Sequence, residues 1–245
     1  MSRLGYTPYD PQLVPVQQAQ NVWTVEGPEV GYRLAGMTIP CPTRMTVVRL
    51  TDGTLWLHSP VVPSSDLDSA LAQFGPVSAM VAPNSYHFLQ LGAWAALHPH
   101  ASVYAPADVV GKANVANAIP LGRGMQAGWR EDLDDQLIAL GKFSEAVFFH
   151  RASGTLIVTD LMQTFEASRV RSLPTRMLLM AGGATGPNAK PSIEIRIAAR
   201  QHRDVLRAGV QKMIDWKPKR IILAHGPCIQ DDAIGAIERA FDWLG

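Results

Sequence analysis

Five polar residues whose side chains can do chemistry stand at or just after the ends of apolar runs. His58 closes TLWLH, Asp160 closes TLIVTD, and His225 follows RIILA. Asn84 and His87 lie in VAPNSYHF, directly after another apolar run. Open α/β folds form their sites where strands leave the sheet at their carboxyl ends. A buried aspartate is costly unless it is paired, hydrogen-bonded or metal-bound, and histidine with aspartate suits zinc or iron.

Each of these residues taken alone also has a structural interpretation. A histidine at a strand end is commonly a packing or capping residue, and Asp160 could cap the turn that follows it. Several such residues at strand ends in one chain favour the functional interpretation. Arg44, at the start of RMTVVRL, is expected to form a structural ion pair rather than bind a ligand.

The bulk composition is that of a globular protein. The chain has 245 residues, of which 47% are hydrophobic and 18% charged, and its net charge of +1 gives no support for a nucleic-acid or anionic-membrane partner. The two cysteines, Cys41 and Cys228, form no Cys-x-x-Cys motif and are expected to be reduced thiols. The sequence has no apolar segment of signal-peptide or membrane-spanning length, which predicts a cytoplasmic protein without a membrane partner.

The order of predicted elements indicates the fold class. Hairpins are predicted within 43–61 and 145–161, and strand–helix alternation follows each. Two mixed sheets packed face to face with helices outside fit this order, in one domain over 1–245 with residues 1–40 as an N-terminal surface arm. One long amphipathic helix is predicted over 193–218. The irregular segment 162–192 is long enough to be a functional flap.

The succession LTDGTLWLHSP, SAMVAPNSYHF, HPHASVYAP, EAVFFHRASGTLIVTDL and RIILAHGPC resembles the DUF4336 family of uncharacterised proteins over about residues 40–240. It is similar, more distantly, to the metallo-β-lactamase superfamily, of which this family would be a divergent branch. The resemblance implies an α/β protein of the α+β type, a four-layer αββα sandwich, in agreement with the order of elements.

The superfamily resemblance also implies a ligand set. Asp160 matches the strand-end aspartate that bridges two metals, and His225 matches a closing metal histidine, whereas His58 replaces an acidic residue. The superfamily's His-x-His-x-Asp-His motif is reduced to APNSYHFLQLG, in which only His87 survives and the register stays open. His87, Asp160 and His225 could hold at most one divalent metal, either zinc, iron or manganese; the alternative is that no metal binds. Glu145 and His150 are further candidate ligands, although His150 is expected to be exposed at a hairpin turn.

Three functions remain open at this stage. The first is a metal-dependent hydrolase of an ester, thioester, lactone or phosphoester, with Asp160 and His225 as catalytic residues. In this interpretation His58, Asn84 and His87 bind the substrate. The second is a non-catalytic module that binds a small molecule or a protein. The third is metal-free chemistry at a thiol or a His/Asp pair. A small-molecule partner is expected, and the sequence leaves the substrate and the oligomeric state open.

Overall fold

The computed structural model describes residues 5–34, 36–112, 115, 117–122 and 128–245. In this part of the chain the strands form two sheets, one of seven strands and one of four. Each sheet contains both parallel and antiparallel pairs, so the prediction of two mixed sheets is confirmed. No helix among the described residues has both the length and the apolar character needed to cross a membrane.

The seven-stranded sheet follows chain order from one edge to the other. Its first four strands pair antiparallel and its last three add in parallel. The hairpin predicted within 43–61 joins its third and fourth strands, with Thr46 opposite His58. The strands are β1 (Pro15–Ala19), β2 (Val22–Leu34), β3 (Met37–Arg49), β4 (Leu55–His58), β5 (Val77–Val81), β6 (Ser102–Ala105) and β7 (Ile119–Pro120).

The four-stranded sheet has the order β11-β10-β9-β8. Its strands are β8 (Leu133–Leu140), β9 (Phe143–His150), β10 (Thr155–Val158) and β11 (Arg220–Leu223). The predicted hairpin of 145–161 is the antiparallel pair β9–β10. Strand β11 lies parallel to β10, with Val158 opposite Leu223, so both strands leave the sheet at the same edge.

Helices cover the outer faces of both sheets. The helices are α1 (Ser65–Ala72), α2 (Leu91–Leu97), α3 (Ala107–Val110), α4 (Leu173–Ala181), α5 (Ile193–Ala199), α6 (Arg203–Asp215) and α7 (Ala233–Phe241). Apolar residues of α1, α2 and α3 share one hydrophobic core with the first sheet, and those of α5, α6 and α7 share another with the second sheet. A third core joins the facing sides of the two sheets and contains Trp56, Trp129 and Phe148. The layers are therefore αββα, as predicted.

The described part of residues 1–40 does not form the surface arm that was predicted. Strands β1 and β2 and the start of β3 lie in this segment, and Val22 and Val25 are fully buried in the cores. Glutamine, proline and glycine in these strands hide the alternation of apolar and polar residues that marks a half-buried strand.

The long helix predicted over 193–218 is two helices, α5 and α6, with residues 200–202 between them. The residues that they bury, Ile195 and Ala199 in α5 and Leu206, Val210 and Met213 in α6, would share one face of a continuous helix. Periodicity alone therefore cannot reveal the break.

Candidate metal centre

The candidate site forms where β10 and β11 end together. Asp160 lies two residues beyond β10, and His225 lies two residues beyond β11. His87 comes from the loop that follows β5 of the other sheet. These three side chains offer ligand atoms that all lie within 4.8 Å of one another, and no other such group of three occurs among the described residues.

The Asp160 carboxylate lies between the two imidazoles. Its Oδ2 atom is 3.3 Å from Nε2 of His87, and its Oδ1 atom is 3.6 Å from Nε2 of His225. The two imidazole rings tilt toward each other with centroids 5.1 Å apart. Of the four histidine and aspartate residues predicted to share one cleft, His87, Asp160 and His225 lie together, and His58 is not part of this group.

The other nitrogen of each imidazole has a partner outside the cluster. Nδ1 of His87 is 2.6 Å from Oγ of Ser59, and Nδ1 of His225 donates to the carbonyl oxygen of Pro42 at 2.9 Å. Phe165 stacks on the His225 ring at 5.7 Å and 14°. These contacts turn both Nε2 atoms toward Asp160, which is the ring arrangement that metal-binding histidines usually have.

Asn84 orders the loop that carries His87. Its Oδ1 accepts from the backbone N–H groups of Tyr86 and His87, at 2.9 and 3.1 Å, as in an Asx turn. Its Nδ2 donates to Oδ2 of Asp160 at 2.7 Å. Asn84 is fully buried and is not part of the cavity wall, so its contacts position Asp160 and His87 rather than reach a substrate.

Glu145, the further candidate ligand, is fully buried in β9. Its carboxylate accepts from the N–H groups of Thr159, Asp160 and Leu161 at 2.8, 2.9 and 3.1 Å. The backbone thus occupies this carboxylate, which fixes the turn after β10 instead of joining the ligand group.

The electrostatics of the site depend on burial and on the carboxylates. Burial, and then the neighbouring Asp160 charge, raise the pKa of Glu145 to about 7. For Asp160, burial opposes ionisation, but His87 and His225 outweigh it and hold its pKa far below the usual range. Burial also opposes protonation of both histidines. The Asp160 charge raises the pKa of His87 nonetheless, whereas the pKa of His225 stays lowered.

His58 occupies a different environment from the one predicted. Its ring stacks on Trp56 at 5.4 Å and meets the edge of Phe148 at 5.5 Å, inside the core between the sheets. Its Nε2 atom is buried without a hydrogen-bond partner, and burial followed by the charge of His87 lowers its pKa to about 3. The adjacent Ser59 lies beyond the end of β4, with a φ of 53°, and lines the cavity instead.

A cavity of about 490 Å³ opens in front of the cluster, and His87, Asp160 and His225 form part of its wall. The segment 162–192, predicted as a flap, contributes much of the remaining wall and contains α4. Residues of this segment that line the cavity are Gln163, Phe165, Leu178, Leu179, Ala181, Gly182, Ala184 and Ser192 at its end.

Sequence reasoning did not identify the residues that contact His225 and the backbone on either side of it. Arg44 forms the expected ion pair, with Nε 2.6 Å from Oε1 of Glu26; Arg44 is buried, and the Glu26 side chain is 12% exposed. Its Nη1 donates to the carbonyl oxygens of Leu223 and, at 2.7 Å, of Gly226, on either side of His225. The Pro42 carbonyl and the Phe165 ring have no sequence signal, because each meets His225 only through the fold.

The chain matches a protein-family model over most of its length. The model described as "Domain of unknown function (DUF4336)" matches residues 19–182, so the chain belongs to this family. No curated protein sequence matches the chain significantly.

Solved structures with the same fold carry metallo-β-lactamase and flavoprotein names. A fragment of the putative diflavin flavoprotein A 5 from Nostoc sp. PCC 7120 has a TM-score of 0.62 at 13% identity, over 94% of each chain. FIM-1 from Pseudomonas aeruginosa, in the mono-zinc form, has a TM-score of 0.58 at 12% identity, over 99% of this chain and 98% of that one. A metallo-β-lactamase from Erythrobacter litoralis has a TM-score of 0.58 at 16% identity, over 98% and 95%. The chain thus has the metallo-β-lactamase fold.

Proposed function

We propose that this protein is a metal-dependent hydrolase with a mononuclear centre held by His87, Asp160 and His225. The observation that carries this proposal is the convergence of three ligand atoms within 4.8 Å of one another on the wall of a cavity. Zinc, iron and manganese are the candidate ions, and an ester, thioester, lactone or phosphoester is the candidate substrate.

The residues fit such an ion chemically. Two imidazole nitrogens and one carboxylate form a ligand set of known catalytic zinc sites. The Pro42 carbonyl and Ser59 hydroxyl hold the Nδ1 atoms, which leaves both Nε2 atoms for an ion. The mono-zinc form of FIM-1 is a precedent for one ion on this fold. A second ion would need ligands beyond these three, and the backbone already occupies the nearby Glu145 carboxylate.

A divalent ion bound there would supply Lewis-acid polarisation of the substrate's acyl or phosphoryl oxygen. The cavity would hold the rest of the substrate and limit its contact with solvent. In hydrolysis of an ester, water adds to the acyl carbon and the bond to the alkoxy oxygen breaks, giving an acid and an alcohol. Asp160 and Asn84 would keep the ligand group in place during this reaction.

A second candidate function is a metal-free binding module. It is favoured by the hydrogen bonds of Asp160, which already accepts from Asn84 at 2.7 Å and lies close to both imidazoles. Such a network satisfies the buried carboxylate without an ion. The cavity would then bind a small molecule without reaction.

Metal content distinguishes the two functions. We expect about one equivalent of zinc, iron or manganese per chain in the purified protein and in His100→Ala, whose histidine is exposed and remote from the cluster. His225→Ala should lose the metal and keep its circular dichroism spectrum. A metal at 100 times its dissociation constant should stabilise the wild-type protein by about 2.7 kcal/mol. Metal-free wild-type protein that none of the three ions stabilises would support the binding module instead.

A further inference from the structure

We infer that the cavity selects uncharged substrates with an apolar body, such as esters or lactones of an apolar acid, and discriminates against anionic ones such as phosphoesters. This inference rests on the proposed function for the reaction itself. For the binding of the substrate, the inference rests on the side chains of the cavity wall.

The wall is built from apolar side chains of several elements. Val30 comes from β2 and Ile39 from β3. Phe88 comes from the loop after β5, and Phe165, Leu178 and Leu179 come from the segment around α4. A volume of about 490 Å³ lies within the range of sites for small organic ligands, and such sites are predominantly apolar. The apolar wall therefore favours a substrate that gains by leaving water.

The wall contains carboxylic acids but no lysine or arginine among its described residues. Among the described residues that line the cavity, the carboxylic acids are Asp160 and Glu194, and none is a lysine or arginine. Glu194 accepts a hydrogen bond from the Tyr32 hydroxyl at 2.9 Å. The nearby Arg44 guanidinium is not part of the cavity wall, and its Nε and Nη1 atoms are bound to Glu26 and to backbone carbonyls.

An anionic group bound along this wall, away from a metal at the cluster, would lose hydration without gaining a cationic partner. Burying a charge is costly unless it is paired and hydrogen-bonded. Apart from a metal at the cluster, whose charge Asp160 partly neutralises, the histidines are the only cationic groups that the described lining can offer, and Asp160 already lies between them. Phosphate and carboxylate groups on proteins are commonly bound by arginine, which this wall lacks.

Large apolar side chains are also present at the rim of the cavity. Tyr86, Leu89 and Ile193 belong to the wall and are also 42%, 58% and 54% exposed. Large apolar side chains that are both exposed and part of a cavity wall fit a ligand that projects beyond the cavity. An acyl chain or an aromatic alcohol would cover them.

A pair of fluorescent probes tests the inference without catalysis. Anilinonaphthalene is uncharged, and anilinonaphthalene sulfonate has the same rings with one negative charge. We expect the wild-type protein to bind the uncharged probe at least about tenfold more tightly, which corresponds to about 1.4 kcal/mol. Binding of the sulfonate within about threefold of the uncharged probe would overturn the inference.

Variants of Leu178 test whether the probes bind in the cavity, and they separate the effect of charge on probe affinity from the effect of hydrophobicity. Leu178→Arg adds a cation to the half-buried part of the wall, and Leu178→Met keeps it apolar. Relative to Leu178→Met, we expect Leu178→Arg to bind the sulfonate about tenfold more tightly and the uncharged probe no more tightly. If Leu178→Arg does not fold, Val62→Arg and Val62→Met on the same wall repeat the comparison. Unchanged binding of both probes to a folded arginine variant would overturn the inference.

Turnover is measured separately from these probes. Hydrolysis of para-nitrophenyl octanoate but not of para-nitrophenyl phosphate would agree with both proposals, and hydrolysis of the phosphate alone would overturn this inference. If neither compound reacts, the hydrolase proposal loses support, while the probe affinities still decide which charge the cavity selects.

Discussion

The Nε2 atom of His225 lies 3.6 Å from Oδ1 of Asp160, although 65 positions separate the two residues in the chain. Strands β10 and β11 bring them together, because these strands are parallel and in register up to Val158 and Leu223. Each side chain emerges two residues beyond its strand. The contact thus depends on the pairing of the two strands rather than on a flexible loop.

Asp160→Asn should abolish metal binding and lower the pKa of His87. The substitution keeps the shape of the side chain but removes the negative charge that lies 3.3 Å from His87 Nε2 and raises its pKa. Elemental analysis measures the metal, and NMR titration of the histidine ring protons in metal-free protein measures the pKa. Asp231→Asn, at an exposed position, is the control. A retained equivalent of metal in Asp160→Asn would argue against the proposed ligand set.

Ser59→Ala should weaken metal binding while the fold persists. The Ser59 hydroxyl is the partner of His87 Nδ1 at 2.6 Å, and loss of such an outer contact typically costs about 10–100-fold in metal affinity. Competition with a chelator measures the dissociation constant. Ser153→Ala is a matched control, because Ser153 contacts His150 Nδ1 at 2.8 Å in the β9–β10 hairpin. Equal affinities of the two variants would show that Ser59 does not orient His87.

Those residues of the site that follow strands can be predicted from the sequence, because local patterns determine where the strands end. Apolar runs identify β5, β10 and β11, and polar residues just after such runs must emerge at a sheet edge. This reasoning finds Asp160 and His225 directly. It selects His58 rather than Ser59, because Ser59 lies beyond the last residue of β4 and the local pattern does not show which way the chain turns there.

The supporting contacts could not be predicted in the same way. Pro42 meets His225 across 183 positions of the chain, and Arg44 reaches the carbonyl of Leu223 across 179. Backbone carbonyls have no sequence signature, and a buried arginine has the same letter as an exposed one. Such contacts follow only from the tertiary arrangement of β3 and β11.

Arg44→Met should destabilise the protein by about 3–5 kcal/mol, the usual cost of leaving one partner of a buried ion pair behind. The variant leaves Glu26 and two backbone carbonyls without their donor. Urea unfolding measures the free energy. Arg239→Met breaks the exposed pair with Asp232 and should cost about 0–1 kcal/mol. The double variant Arg44→Met/Glu26→Leu should recover part of the loss, and equal stability of the two single variants would contradict this account.

His58→Leu should make the protein more resistant to acid. Burial lowers the pKa of His58 from its ordinary 6.5 to about 3, so between these pH values the unfolded chain binds a proton that the folded chain does not. The stability that neutral His58 permits is therefore present above pH 6.5 and declines as the pH falls toward 3. Leucine has no such proton, and it also removes the unpartnered Nε2 from the core.

The difference in unfolding free energy between His58→Leu and wild type should grow in favour of the variant by roughly 4–5 kcal/mol across this window. His100→Leu, at an exposed position, is the control and should show no such growth. Urea unfolding at a series of pH values measures the difference, and a difference that stays constant between pH 7 and pH 4 would mean that His58 is protonated in the folded protein.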